Sequence, residues 1–226
     1  MPPPSAVAAT LYELAGHGLL QHIGVSVARV VSGFAIGATL GAACGIAIGL
    51  SRRLEAVVDP TFQALRAIPS LAWVPLLLLW LGIGETPKIS LIALGAFFPV
   101  YLNALSGIQN VDAKLVELGR SFGLSNAAMI RRILLPASLP SIFTGLRVGL
   151  SLSWMFLVAA ELIAATSGLG YLLSDGRETS RPDIVLAAIV LLAILGKASD
   201  SILKHIETRN LRWRDAFDPA RNPGNG

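Results

Sequence analysis

The sequence predicts an all-α membrane protein with five core transmembrane helices and a long polar loop on the cytoplasmic side. Three observations carry that reading. The 226 residues are 54% hydrophobic and only 14% charged, whereas soluble domains carry about 25% charged residues. Five segments are apolar over the roughly 20 residues that a membrane-crossing helix needs: His22 to Leu50, Pro60 to Leu81, Lys88 to Ile108, Leu139 to Ala165 and Asp183 to His205. When these spans alternate, the basic residues fall mostly on one side. Residues 51–59, 109–138 and the C-terminal tail hold Arg52, Arg53, Lys114, Arg120, Arg131, Arg132, Lys204, Arg209, Arg212, Arg214 and Arg221, against Lys88, Arg177 and Arg181 opposite. The positive-inside rule then puts the N-terminus outside and the C-terminus in the cytoplasm.

The same composition limits the chemistry. A single cysteine, Cys44, lies in an apolar run, which excludes an intramolecular disulfide and a thiolate metal cluster. His17, His22 and His205 are far apart and form no HxxxH pattern, so they read as interfacial or capping residues, and no metal site is expected. No catalytic residue and no nucleic-acid partner is expected. The bilayer accounts for the net charge of +4, through topology and contact with anionic lipid.

Residues 1–21 begin with three prolines and lack the basic n-region and long apolar core of a secretory signal. They read as a short extracytoplasmic lead-in to a transmembrane domain over 22–206, with a cytoplasmic tail at 207–226. The first span carries Gly33, Gly37, Gly41, Gly45 and Gly49. Four residues advance a helix by about 400°, so this slowly turning stripe predicts close approach of another helix. Pro60, Pro69 and Pro75 punctuate the second span, where each interior proline removes a backbone bond. A structural kink and a helix broken beside a cavity both remain open.

Charges inside spans are expensive and are functional suspects. Arg66 and Arg147 lie near the inner ends, where they are expected to snorkel to the cytoplasmic surface. Glu161 lies in the outer half, and two readings stay open: it faces a translocation path, or it pairs with a neighbouring helix. Arg147, Trp154 and Glu161 together are the candidate lining of such a path.

The loop over 109–138 is ordered in a way that charge alone does not explain. "DAKLVELGRSF" has helix-forming composition, and Gly123 follows as a residue able to end a helix in the left-handed conformation. Ser125 is placed to cap a second short helix, "NAAMIRRILL", which Pro136 is expected to stop. Leu124, Met129, Ile130 and Ile133 among the basic residues suit docking in a groove on a cytoplasmic partner.

At these residues the chain resembles the cytoplasmic EAA loop of binding-protein-dependent ABC importer permeases. That pattern is Glu-Ala-Ala, three residues, Gly, nine residues, Ile, one residue and Leu-Pro. Glu117, Gly123, Ile133, Leu135 and Pro136 match it in spacing, while Leu118 and Gly119 replace the two alanines. "SRRLEAVVDPTFQALRAIPSLAWVPLLLLWLGIGE", "IALGAFFPVYLNALSGI" and "LVAAELIAATSGLGYLL" resemble the branch that imports aliphatic sulfonates, taurine or nitrate. The resemblance implies a type I importer permease in a bacterial inner membrane, non-catalytic in itself. It implies a homodimer, two copies of an ATPase subunit that carries ATP and Mg, and an extracytoplasmic solute-binding protein. It also implies that Glu117, Leu118, Gly119, Gly123, Leu124, Ser125, Met129, Ile130, Arg131, Arg132, Ile133 and Pro136 form the ATPase-coupling element. Many relatives carry a further helix before the five core spans, for which this lead-in reads as too short and too polar.

Two other classes compete. A secondary transporter or channel would use Glu161 with ion coupling, and inverted repeats would support it. A structural membrane adaptor would need only the glycine stripe and the basic tail.

Overall fold

The computed structural model describes residues 2–16, 18–69 and 72–211; His17, Arg212, Arg214 and Arg221, named above, lie outside them. Four stretches are helical, long and apolar enough to cross a membrane. These are α2 (Leu19–Gly49), α5 (Glu85–Gln109), the stretch from Asn126 into α8 (Leu135–Ala164), and α10 (Pro182–Asn210). The shorter helices are α1 (Pro4–Gly16), α3 (Arg52–Ala67), α4 (Trp73–Leu81), α6 (Ala113–Ser121), α7 (Asn126–Met129) and α9 (Leu169–Glu178).

The second expected span is two helices rather than one. Pro60 is accommodated inside α3, but Pro69 disfavours the helical conformation at the residue before it, and Ile68 is extended at φ −70° and ψ 124°. The chain still travels the length of the bundle. Near its start α3 meets the end of α5, where Gln109 Nε2 donates to Glu55 Oε1 (2.8 Å), and midway along α3 Asp59 Oδ1 accepts from Tyr101 Oη (2.6 Å), about two turns back along α5. By α4, Val74 and Leu77 are buried in one cluster with Leu91 and Ile92 in the first half of α5.

That return journey lets α2 and α5 run parallel. A Cβ built on Gly33 would meet Ile92, one on Gly41 the Phe97 carbonyl, one on Gly45 the Tyr101 carbonyl and Ala104, and one on Gly49 Ile108. The stripe is therefore the seam along which the α5 backbone lies, in a medium where association depends on van der Waals packing rather than hydrophobic drive. Against its other side α5 takes α8 in the opposite sense, with Gly107 beside Ser138 and Ser141, Gly145 beside Asn103, and Gly149 beside Ala96. Helix α5 is thus the centre of the bundle, and Leu91, Ile92, Val100 and Tyr101 are among its most buried side chains.

Within the lead-in, Pro4–Gly16 form helix α1. Leu11 and Leu14 of α1 pack on the cluster of Leu19, Leu169, Leu172, Ile184 and Ala188, and buried Thr10 donates to Asp183 Oδ2 (2.8 Å). One end of the bundle therefore gathers α1, α9 and the starts of α2, α5 and α10. The other gathers the α2–α3 junction, residues 110–134 and the end of α10, bringing together Arg52, Arg53, Lys114, Arg120, Arg131, Arg132, Lys204 and Arg209.

Candidate functional site

The polar stretch between α5 and α8 forms a tight elbow. Asp112 opens α6 by accepting from the Lys114 N–H (2.9 Å). Gly123 closes it at φ +67°: the Leu124 N–H reaches back to the Gly119 carbonyl (3.1 Å) and the Gly123 N–H to that of Arg120 (2.9 Å). This paired closure satisfies carbonyls that the helix end would otherwise orphan. Ser125 then caps α7, its Oγ accepting from the Ala128 N–H (3.3 Å).

Pro136 does not stop the second helix. Residues Ile130–Leu134 form a π-helical turn in which the Leu135 N–H bonds to the Ile130 carbonyl, and the chain continues into α8 with Pro136 in the first turn. A proline ring inside a regular helix clashes with the carbonyl four residues earlier. The wider turn accommodates Pro136, so the chain continues from α7 into α8 without a break in the helix.

The elbow is held shut by its small residue. Gly119 is buried, and a Cβ there would lie 2.7 Å from Ile133 Cδ1 and 2.8 Å from Met129 Cε. Met129, expected on the docking face, is instead buried against Gly119, beside the half-buried Ile133. The exposed apolar side chains are Leu115, Leu118 and Phe122, the last 77% exposed. Glu117, Ser125, Arg131 and Arg132 are exposed, and Leu124, Ile130 and Pro136 half-buried. Leu115 and Phe122 were missed in the sequence. Their signal was local: an aromatic directly before the terminating glycine, and a leucine three residues before Leu118 on the same helix face.

The opposite end holds a buried charge cluster. Glu161, 1% exposed, accepts from Arg29 Nη1 (2.7 Å), Ser26 Oγ (2.8 Å) and the Gly170 N–H (2.7 Å). Arg29 also donates to the Ser167 carbonyl (2.7 Å) and, through Nε and Nη2, to both oxygens of Glu85 (2.5 and 2.6 Å). Lys88 Nζ donates to Glu85 Oε1 (3.0 Å). Ser26 Oγ accepts from the Leu169 N–H, and His22 Nδ1 from that of Gly168. Two cations thus balance two carboxylates, and the cluster straps the 167–170 turn across α2, α5 and α8. Arg29 was missed in the sequence, although its signal was there: a charge inside the first apolar span.

Arg147, Trp154 and Glu161 are not brought together. Arg147 pairs with Asp200 (3.0 Å) and lies 3.7 Å from Glu207, both on α10, and Trp154 Nε1 donates to Ser199 Oγ (2.9 Å). Fourteen residues of helix separate Arg147 from Glu161, about 21 Å along its axis.

Residues 20–212 match the family described as binding-protein-dependent transport system inner membrane component. The chain is 43% identical over 219 residues to the putative aliphatic sulfonates transport permease protein SsuC of Bacillus subtilis, covering 96% of this chain and 79% of that one. It is 39% identical over 219 residues to the taurine transport system permease protein TauC of Escherichia coli, covering 94% and 80%. In fold it superimposes on a chain of the MetNI methionine ABC transporter, solved in inward-facing conformations. The TM-score is 0.73 at 19% identity, covering 88% of this chain and 98% of that chain.

Proposed function

The chain belongs to the family of inner membrane components of binding-protein-dependent transport systems, and from that premise we propose how its parts divide the work of an ATP-driven importer. It is the non-catalytic permease. ATP and Mg belong to a separate ATPase subunit, present in two copies, and a solute-binding protein delivers the cargo from outside. The transmembrane domain runs over 22–206, with the lead-in 1–21 outside and the tail 207–226 in the cytoplasm. Gathering of the basic residues at the α6–α7 end supports placing that end in the cytoplasm. A second copy of the chain completes the pathway.

The elbow is the ATPase-coupling element. One observation carries this: an exposed apolar and basic knuckle, Leu115, Leu118, Phe122, Arg131 and Arg132, is locked by the Gly119 contact and continues without a break into α8. Glu117, Gly123, Leu124, Ser125, Ile130 and Pro136 shape it, and Met129 and Ile133 brace it from within. The cargo is a small solute of the sulfonate, taurine or nitrate kind, and the names of the relatives SsuC and TauC support the sulfonate and taurine part of that reading.

The test is reconstitution of the full chain with its ATPase and solute-binding protein in proteoliposomes. ATP-dependent uptake of a labelled sulfonate is expected, and Leu118→Asp together with Phe122→Asp is expected to release the ATPase. A doubly substituted chain that retains its ATPase at wild-type affinity removes the elbow from the coupling role.

A further inference from the structure

The break between α3 and α4 opens beside a cavity of about 400 Å³. Its far walls are the middle of α5, from Leu94 to Asn103, and the middle of α8, from Val148 to Phe156. Arg66 lies on its near wall, with Ile68 and Trp73. Asp59 meets Tyr101, and Arg66 lies about two helical turns further on. This sets the Arg66 backbone around mid-bundle, where its side chain lines the cavity. Arg66 is exposed and makes no ion pair with another described residue. By contrast, Arg29, Lys88 and Arg147, the other cations within the bundle named above, are each paired.

An unneutralised arginine at membrane depth is costly and marks a pathway for a partner of opposite charge. The remaining lining limits which partner fits. Among the described lining residues Arg66 is the one charged group and Asn103 the one side-chain amide, and the rest of the wall is aromatic and aliphatic, with Trp73, Leu94, Phe98, Leu152, Met155 and Phe156 among its largest side chains. Asn103 spends one N–H on the Pro99 carbonyl (2.8 Å) and has a second N–H and its carbonyl oxygen left to offer.

We infer that this cavity is a transit site for a monoanion with a short apolar tail, an alkanesulfonate, and that Arg66 is its anion-binding residue. A guanidinium donates two parallel N–H bonds to two oxygens of one headgroup, and the aromatic and aliphatic wall takes the tail. Nitrate meets the guanidinium equally well but leaves that wall uncovered. Taurine brings an ammonium that no described lining carboxylate receives, which penalises its burial. The permease itself thus sorts anions by their tails, in addition to any choice made by the solute-binding protein. This rests on the importer reading above.

The experiment probes the cavity without the binding protein. In the permease–ATPase complex carrying Cys44→Ser and Leu152→Cys, the rate of thiol modification by methyl methanethiosulfonate is measured with 1-butanesulfonate, taurine or nitrate present. Butanesulfonate is expected to slow modification at least 5-fold, and the other two less than 2-fold. Arg66→Gln should abolish that protection, whereas Arg66→Lys should keep part of it. Absent protection, protection indifferent to Arg66→Gln, or equal protection by nitrate overturns the inference. If Leu152→Cys does not assemble, butanesulfonate uptake by the reconstituted complex decides instead. Arg66→Gln is expected to lower it at least 10-fold with the ATPase still bound, and unchanged uptake overturns the site. A wild-type complex that moves no anion with ATP refutes the importer reading itself, an outcome distinct from the others.

Discussion

Removing the Glu161 carboxylate tests whether the charge cluster is a structural bracket. Glu161→Ala deletes three accepted hydrogen bonds, from Arg29, Ser26 and the Gly170 N–H. It leaves Arg29, 4% exposed, with a smaller set of partners. Breaking a buried pair by removing one partner costs about 3–5 kcal/mol. Arg29 keeps Glu85, whose side chain is 54% exposed, so the low end, about 3 kcal/mol, is expected. For a chain of this length that lowers the melting temperature by about 6–12 °C. The assay is built into the protein: Cys44, the single cysteine, is partly buried, and its reaction with a thiol-reactive fluorophore reports unfolding. Arg29→Met should be comparably destabilising, and the double variant should lose at least about 1 kcal/mol less than the sum of the singles. Strict additivity, or a Glu161→Ala protein that melts as wild type, refutes the bracket. If such a protein also loses uptake, the carboxylate acts on the solute or a proton.

Three further outcomes are expected. Gly123→Leu forces a Cβ into the left-handed region at a cost of about 1–2 kcal/mol. Nothing lies within 4 Å of that Cβ, so membrane insertion should survive while ATP hydrolysis uncouples from uptake, and Gly123→Asn should be milder; wild-type uptake by the leucine variant would sink this. Gly45→Leu places a Cβ 2.5 Å from the Tyr101 carbonyl and 2.7 Å from Ala104 Cβ, and α5 must back away at about 1–3 kcal/mol or more; an unchanged Cys44 unfolding curve contradicts the seam. Phe122→Asp, at a side chain 77% exposed, should leave the melt within about 0.5 kcal/mol and cut co-purified ATPase at least 10-fold, so undiminished co-purification argues against contact there.

How much could be read in advance depended on whether a feature is local. The glycine period fixed a helix face, and the Gly123–Ser125 pair fixed a turn, because each rests on backbone geometry that a few neighbouring residues decide. The continuation of the helix through Pro136 was not legible, since a π turn depends on register with a bundle the sequence does not display. Nor was the split of Pro60 to Leu81: three prolines announced a kink, but only the parallel seating of α5 on α2 shows why the segment must still run the full length. Met129 illustrates the limit most sharply. An apolar residue beside two arginines looks like a docking contact, and its burial follows from Gly119, ten residues earlier, which leaves the space that Met129 fills.

The same contrast of tight and loose packing bears on how a push at the elbow would travel. Helices α2, α5 and α8 touch through glycines at backbone distance along most of their length, and close-packed interfaces of that kind shift as units rather than deform. Helix α3 is different. It buries no residue and is held to α5 by two hydrogen bonds, from Tyr101 and Gln109, and by Phe62 edge-on to Phe97 and Tyr101. A displacement entering at α6 and α7 passes along the continuous helix into α8, which lines the Arg66 cavity, while the opposite wall combines Arg66 of α3 with Trp73 of α4, the latter packed on the core. Under the coupling role proposed above, a push from the basic end reaches this cavity through α8 and bears on what an anion can reach there.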